Sequence, residues 1–332
     1  MSTIKFDISE PAGQTKTQHL VHSITGAISN GLLRKGDGLP SVNQMSSKTG
    51  YSRDTVFKAY NILKERNIIE SAPQKGYYVA SEHFKIFMLL DDFSAFKEQL
   101  YKSFRKNLPE TYSVDLLFHH YNSEVFDQLI LNSLGRYSIY ITMNINNKGI
   151  APVLNKIDPN KLLILDMGKP RNNDFNFLIQ DFNKAVKDCL EKGIDRLKKY
   201  DELIMVYNNK ETPHPSETVP AVENFCKKHK IEFRTVKNTG EYKIAERQAW
   251  FVIRDADLVE VIKHCQGKNL KLGTDIGILS YNDTPMKQIV GGGISVISVD
   301  FELMGKLAAK FVTDKQKIFK TLSTSLILRE SF

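Results

Sequence analysis

The chain has 332 residues, 41% of them apolar and 25% charged, with a formal net charge of +8 and an isoelectric point near 9.1. These values exclude wholesale disorder and a single small core, and they predict two or three compact units. The charge is uneven: residues 1–79 hold ten Lys/Arg against six Asp/Glu, while the rest holds thirty-six against thirty-two, as expected for a basic nucleic-acid-binding module on a nearly balanced body. Cys189, Cys226 and Cys265 are far apart and form no CxxC pair, so reduced buried thiols are expected, with no disulfide framework and no zinc site. The start, MSTIKFDISEPAG, lacks the apolar stretch of a signal peptide, and no run approaches eighteen apolar residues. The expectation is a cytoplasmic protein with no membrane partner.

The first predicted helix spans Thr15–Ser29, where Leu20, Val21, Ile24, Ala27 and Ile28 recur at helical spacing. GLLRKGDGLP ends it with glycines and a proline. Ser41 precedes Gln44 by three, the capping-box spacing that starts a second helix near Val42, and Gly50 suits that helix's left-handed end. Ser52 caps a third helix whose buried face is Val56, Ala59, Tyr60 and Leu63. NIIESAPQKGYYVAS then reads as two short strands about a turn. Three helices, a tight turn and a hairpin make a winged helix-turn-helix. With 56, 59, 60 and 63 inward, Ser52, Arg53 and Thr55 open the outward N-terminal turn that touches base edges and phosphates in such domains. Lys75 and Gly76 fall at the wing tip.

From about Lys16 to Ala80, the turn GDGLPS, the helix YSRDTVFKAY and the wing QKGYYV resemble the head of GntR-family transcription regulators. The resemblance implies DNA contact by Asn43, Ser52, Arg53, Thr55, Lys75 and Gly76, and double-stranded operator DNA as partner. Two departures stand out: Phe57 where many relatives carry Arg, and Gln74-Lys75 where a glycine is common.

Beyond a linker at 81–84, strands alternate with helices over some 250 residues. KIFMLL, SVDLLF, SIYITM and LLILDM form one strand series, and LIMVYN, EFRTV, AWFVI and DIGILSYN another. SAFKEQLYKSFRKNL, NSEVFDQLILNSL, NKAVKDCLEKGI, PAVENFCKKH and LVEVIKHCQ are helices between them. The fold class is therefore α/β, with parallel sheets in two lobes.

GTDIGILSYNDTP, VDFELMGKLA and LILRES resemble the C-terminal half of LacI-type regulators and periplasmic sugar-binding proteins. That implies two doubly wound lobes closing on a ligand at the carboxyl ends of the strands. The expected division is a head at 1–80 and an effector domain at 85–332. Its first lobe takes about 85–168 with part of 300–320, and its second about 169–298 with the C-terminal strand.

A sugar site needs carboxylates, amides or arginine for hydroxyls and an aromatic for the ring face. Strand-end positions supply Asp91, Asp92, Phe93, Phe96, Asp166, Tyr207, Asn208, Arg254, Asp255, Asn282 and Asp283, and Phe301 is placed to stack. The LacI-type resemblance assigns Asp91, Asp92, Phe93, Asp166, Arg254 and Asn282 to the ligand. Asp91 and Asp92 cannot both be dry without donors, so one is expected to meet ligand and the other solvent or Arg254. Asp255 and Asp283 can equally be helix caps.

Gly291-Gly292-Gly293 lacks the Lys-Ser/Thr of a phosphate loop and suggests a flexible crossing between lobes. His119-His120 have no third ligand at metal spacing, so no metal is expected, and no cofactor is implied. The leading reading is a homodimeric regulator controlled by a neutral monosaccharide (a pentose, hexose or deoxyhexose), with purines or other small metabolites as further effector classes. It is not expected to be an enzyme. The alternative is a sugar- or nucleoside-metabolising enzyme carrying a DNA-binding head, against which no G-x-S-x-G, H-E-x-x-H or paired acid–base spacing is present.

Overall fold

The computed structural model describes residues 15–29, 31–66, 68–80, 84–145, 151–168, 174–212 and 214–332. The segment 1–14 and all of the expected linker except Phe84 lie outside these residues. The chain divides into two compact units, the first holding the head with residues 84–86, 110–115 and 133–138.

The head contains α1 (Lys16–Ser29), α2 (Val42–Thr49), α3 (Arg53–Glu65), β1 (Ile69–Ala72) and β2 (Gly76–Val79). Its local signals act as chemistry requires. Ser41 Oγ accepts from Gln44 N while the Gln44 side chain accepts from Ser41 N, closing the capping box. Gly50 ends α2 at φ 70°, where a β-carbon would be strained. Leu20, Ile24, Met45, Val56, Tyr60 and Leu63 are buried in one cluster, and the Tyr60 hydroxyl donates to Pro40 O at 2.8 Å, tying α3 to the preceding turn. β1 and β2 pair antiparallel, Ile69 opposite Val79 and Ala72 opposite Gly76.

The body begins with β3 (Lys85–Leu90), α4 (Ala95–Lys106), β4 (Ser113–Phe118), α5 (Ser123–Ser133), β5 (Ile139–Met143), β6 (Leu162–Asp166) and β7 (Asn176–Ile179). It continues with α6 (Lys184–Lys192), α7 (Ile194–Leu197), β8 (Glu202–Val206), α8 (Thr218–His229), β9 (Glu232–Val236), β10 (Gln248–Val252), α9 (Asp255–Gly267), β11 (Ile276–Tyr281), α10 (Pro285–Ile289) and β12 (Ser295–Val299). α11 (Phe301–Asp314), β13 (Phe319–Thr321) and β14 (Thr324–Ile327) complete it. Two six-stranded sheets result, ordered β13-β7-β6-β5-β3-β4 and β14-β12-β11-β10-β8-β9. In the second, β14 runs antiparallel to β12 while β9, β8, β10, β11 and β12 are parallel. The buried runs Ile86–Leu90 and Ile276–Tyr281 are apolar with little alternation because both faces of each sheet are covered.

Two expectations are corrected here. β7 pairs with β6 and β13, so the first lobe runs on to Ile179, past the expected boundary at 168/169. The chain changes lobe after β7, after β12 and after β13. The triple glycine is none of these crossings; it lies inside the second lobe between α10 and β12, at φ 59°, 78° and 98°. A β-carbon on Gly292 would stand 2.0 Å from a Glu330 carboxylate oxygen, and one on Gly293 2.7 Å from the Arg329 side chain. These glycines let the C-terminal residues pack down. Gly305 has a similar role where α11 meets α4: a β-carbon there would lie 2.3 Å from Leu100 O. No described helix is long and apolar enough to cross a membrane, and the three cysteines are buried and unbridged.

Candidate functional site

On the head, Ser52 is the N-cap of α3; its Oγ accepts from Thr55 N at 3.1 Å and lies 2.8 Å from Thr55 Oγ1. Arg53 follows as the first helical residue and is exposed, as is Asn43 on α2. Phe57, one turn beyond Arg53, is 49% exposed although aromatic. Lys75 sits over the Tyr78 ring at 3.8 Å, and Gln74 and Gly76 turn the wing at φ 64° and 71°. The six positions expected to meet DNA are exposed or half-buried.

In the body, a cavity of about 340 Å³ opens where strand ends of both lobes converge. Its first wall is built on a buried cation. Lys97, in the first turn of α4 and 3% exposed, forms ion pairs with both Asp91 and Asp92 at the end of β3. Asp91 and Asp92 thus share one ammonium, contrary to the expected split between ligand and solvent or Arg254. The Tyr121 hydroxyl donates toward both carboxylates, at 3.0 and 3.2 Å, and accepts from Lys97 at 3.3 Å. Burial and those carboxylates push the Tyr121 phenol far up. His120 and Tyr121 both take left-handed backbone, φ 48° and 58°, a conformation that costs energy for side chains of this size. Beneath them the buried His119 Nε2 lies 3.2 Å from Met143 O while Nδ1 accepts from Tyr121 N. Burial lowers the His119 pKa, so the ring is a neutral brace for the loop.

Asp166 ends β6 at φ 71°, again left-handed. Burial, then the nearby Asp91, pushes its carboxyl up to about 6, against the Gln180 amide that donates to Oδ1 at 2.5 Å. Gln180 follows β7 at a lobe crossing, and its Oε1 accepts from Tyr281 at the end of β11 at 3.4 Å. One side chain therefore bridges the floor of both lobes.

The second wall carries Arg254, Asp255, Asn282 and Lys287. Arg254 makes a two-pronged ion pair with Asp257 and reaches Glu211 at 3.1 Å. Lys287, 3% exposed, donates to Tyr281 O at 2.9 Å and Asn282 O at 3.0 Å and pairs with Asp255 at 3.0 Å. It holds Asn282 in left-handed backbone, φ 59°. Asn282 Oδ1 and Ser94 Oγ, both on cavity-lining residues, are buried without a hydrogen-bond partner. Phe182 and Tyr281 enclose His214 at ring distances of 5.1 and 4.4 Å, and burial pushes its pKa down to about 3.

The cavity thus gathers seven of the twelve sequence candidates: Asp91, Asp92, Phe96, Asp166, Arg254, Asp255 and Asn282. Five stand elsewhere. Asn208 closes its own turn, its N–H donating to Thr212 Oγ1 and its Oδ1 accepting from Lys210 N, both at 3.1 Å. Phe93 is 65% exposed and packs edge-on against Phe118. Tyr207 donates to His214 O behind the cleft wall. Asp283 is held by Arg329 through two hydrogen bonds of 3.0 and 2.7 Å. Phe301 is buried against Phe96, supporting the ring that lines the cavity. Neither Asp255 nor Asp283 is a helix cap; Arg254 and Thr284 occupy those positions. Lys97, Tyr121, Gln180, His214 and Lys287 were missed. The strand-end rule applied after SVDLLF would have found Tyr121. Gln180 went with the four-residue β7, and the two lysines carry no signal that separates them from solvated helix positions.

Comparison with known proteins follows this division. Residues 16–79 match the family of bacterial regulatory proteins named gntR, and residues 196–332 match the periplasmic binding protein-like domain. The head is 41% identical over 66 residues to the uncharacterized HTH-type transcriptional regulator YjiR of Escherichia coli K12, 20% of this chain but only 14% of that protein. The mannosyl-D-glycerate transport/metabolism system repressor MngR of E. coli K12 is 25% identical over 246 residues, covering 70% of this chain and 96% of its own. A LacI family transcriptional regulator from Lactobacillus casei with bound glucose superposes with a TM-score of 0.60 at 16% identity, over 75% of this chain and all of the other.

Proposed function

From a GntR-type winged head joined to a periplasmic-binding-protein-like body, we propose that this protein is a transcription regulator whose operator affinity is set by a small sugar bound between the lobes. A pentose, hexose or deoxyhexose is the size class. The observation that carries the reading is the cavity itself. Its volume falls at the lower end of ligand pockets, about 300–1,000 Å³, and it sits at the carboxyl ends of both sheets with carboxylates, an amide and aromatic rings around it. The likeness to a glucose-bound regulator supports this through the fold. Asn43, Ser52, Arg53, Thr55, Lys75 and Gly76 are the proposed DNA contacts. Asp91, Asp92, Phe96, Asp166, Arg254, Asp255 and Asn282 are the proposed effector contacts. The regulator acts in the cytoplasm as a homodimer that matches a two-fold operator, and it binds its sugar without turnover.

The test is a thermal-stability panel of pentoses, hexoses, deoxyhexoses and nucleobases on the purified chain. A ligand at a hundred times its Kd stabilises the folded state by about 2.7 kcal/mol. Gel shifts on the promoter fragments nearest its gene, with and without the hit, read the coupling. A panel without a hit, or a hit that leaves DNA affinity unchanged, overturns the proposal.

A further inference from the structure

The charges around the cavity discriminate among sugars. We propose that the effector carries no anionic group and is bound as the free sugar, before any phosphate or carboxylate is placed on it. This rests on the sugar reading above and narrows it.

Five carboxylates line the cavity against three cations, and each of those cations is already paired with carboxylates. Lys97 is engaged by Asp91, Asp92 and the Tyr121 oxygen. Lys287 has all three donor positions committed, to two backbone carbonyls and to Asp255. Arg254 spends its fork on Asp257 and one N–H of its remaining nitrogen on Glu211, so its charge is answered twice while two of its five N–H stay open to a neutral hydroxyl. His214 stays neutral because burial keeps its pKa near 3. A phosphate brought here would meet carboxylates first, and like charges brought together in a partly dry site cost several kcal/mol.

The amide ends of α4 and α9 favour an anion, but acidic residues already stand in the first turn of each, Glu98 in α4 and Asp255 and Asp257 in α9.

The unused hydrogen-bonding capacity points the same way. Among the described residues no donor reaches Asp166 Oδ2, and Asn282 Oδ1 is buried without one. Ser94 Oγ serves either role. These unpartnered oxygens call for a ligand that donates hydrogen bonds, which a polyol does and a phosphate dianion, which only accepts, cannot. A kinase acting on this sugar would therefore end the signal, and the regulator reads the substrate of that phosphorylation step.

The experiment is titration calorimetry on the full chain with matched sets: glucose, glucosamine, glucose 6-phosphate and glucuronate; the same series from galactose and mannose; and ribose with ribose 5-phosphate. The expected result is a neutral parent that binds at least about tenfold more tightly than its phosphate and its uronate, a difference of about 1.4 kcal/mol. The amine-bearing form should bind no more weakly than the parent. A phosphate or uronate within tenfold of its parent overturns the inference while leaving the sugar reading intact. If no sugar of any charge binds, the sugar reading falls and this inference with it. Asp92→Asn should narrow the parent-to-phosphate ratio at least about threefold, since it removes one like charge. Raising salt from about 50 to about 500 mM should narrow it in the unaltered protein by screening. A ratio that responds to neither refutes the electrostatic cause.

Discussion

Lys97→Met is the sharpest test of how the cleft is built. Methionine keeps an unbranched side chain of similar length but removes the ammonium shared by Asp91 and Asp92, which also stands 5.1 Å from the Phe96 ring centre. Both side chains of the Lys97–Asp91 pair are 3% exposed, whereas Asp92 is 34% exposed and can turn to water. The loss therefore falls on Asp91, left among the described residues with the Tyr121 hydroxyl and the Asp92 amide as donors. Removing one partner of a buried ion pair costs about 3–5 kcal/mol, and that is the expected destabilisation at pH 7.5. Asp91→Asn combined with Lys97→Met deletes both charges and should restore at least about 2 kcal/mol relative to Lys97→Met alone. Urea denaturation followed by far-UV circular dichroism, with fluorescence of the single, buried Trp250 as a second probe, measures both variants. A cost under about 1 kcal/mol would refute the premise that Lys97 is the structural counter-ion of the cleft.

Three further outcomes follow. Arg53→Ala should weaken operator binding about 5- to 150-fold, the range for a lost base contact of 1–3 kcal/mol, while leaving the sugar-induced thermal shift unchanged; gel shifts and melting curves read both. Gly305→Ala should lower stability by about 1–3 kcal/mol through overpacking against Leu100 O, against the roughly 1 kcal/mol that alanine gains over glycine in an exposed helix; a stabilised variant in urea melts would show that the helices can move apart freely. The third concerns pH. Asp166, raised to about 6, binds a proton in the folded state that the unfolded chain releases near 4, so between those values it adds stability as pH falls. His214, lowered to about 3, stays neutral while its unfolded form charges below about 6.5, so over the same window it removes stability as pH falls. Each acts at about 1.4 kcal/mol per pH unit and they oppose. His214→Gln should therefore gain stability from pH 6 to 5, and Asp166→Asn should lose it; equal slopes in the two variants by urea titration would contradict both assignments.

Much of the architecture was legible because its signals are local. A capping box, a positive-φ glycine after α2 and the inward set Val56, Ala59, Tyr60 and Leu63 determine the head within a few residues of each other. Apolar strand runs likewise announced two sheet-centred lobes, and the strand-end rule brought seven ligand candidates to one cavity. Tertiary structure alone decided what those candidates face. Lys97 looks like any helical lysine until α4 swings its head between two aspartates. Asp283 looks like a ligand residue until Arg329, 46 positions away, takes both its oxygens. Gln180 joins the lobes only because β7 ends beside β6, opposite Tyr281. Backbone conformation answers to neighbours in the chain, whereas a charge answers to whatever lies within a few ångströms in space, and which residues come that close is settled only when the sheets are assembled.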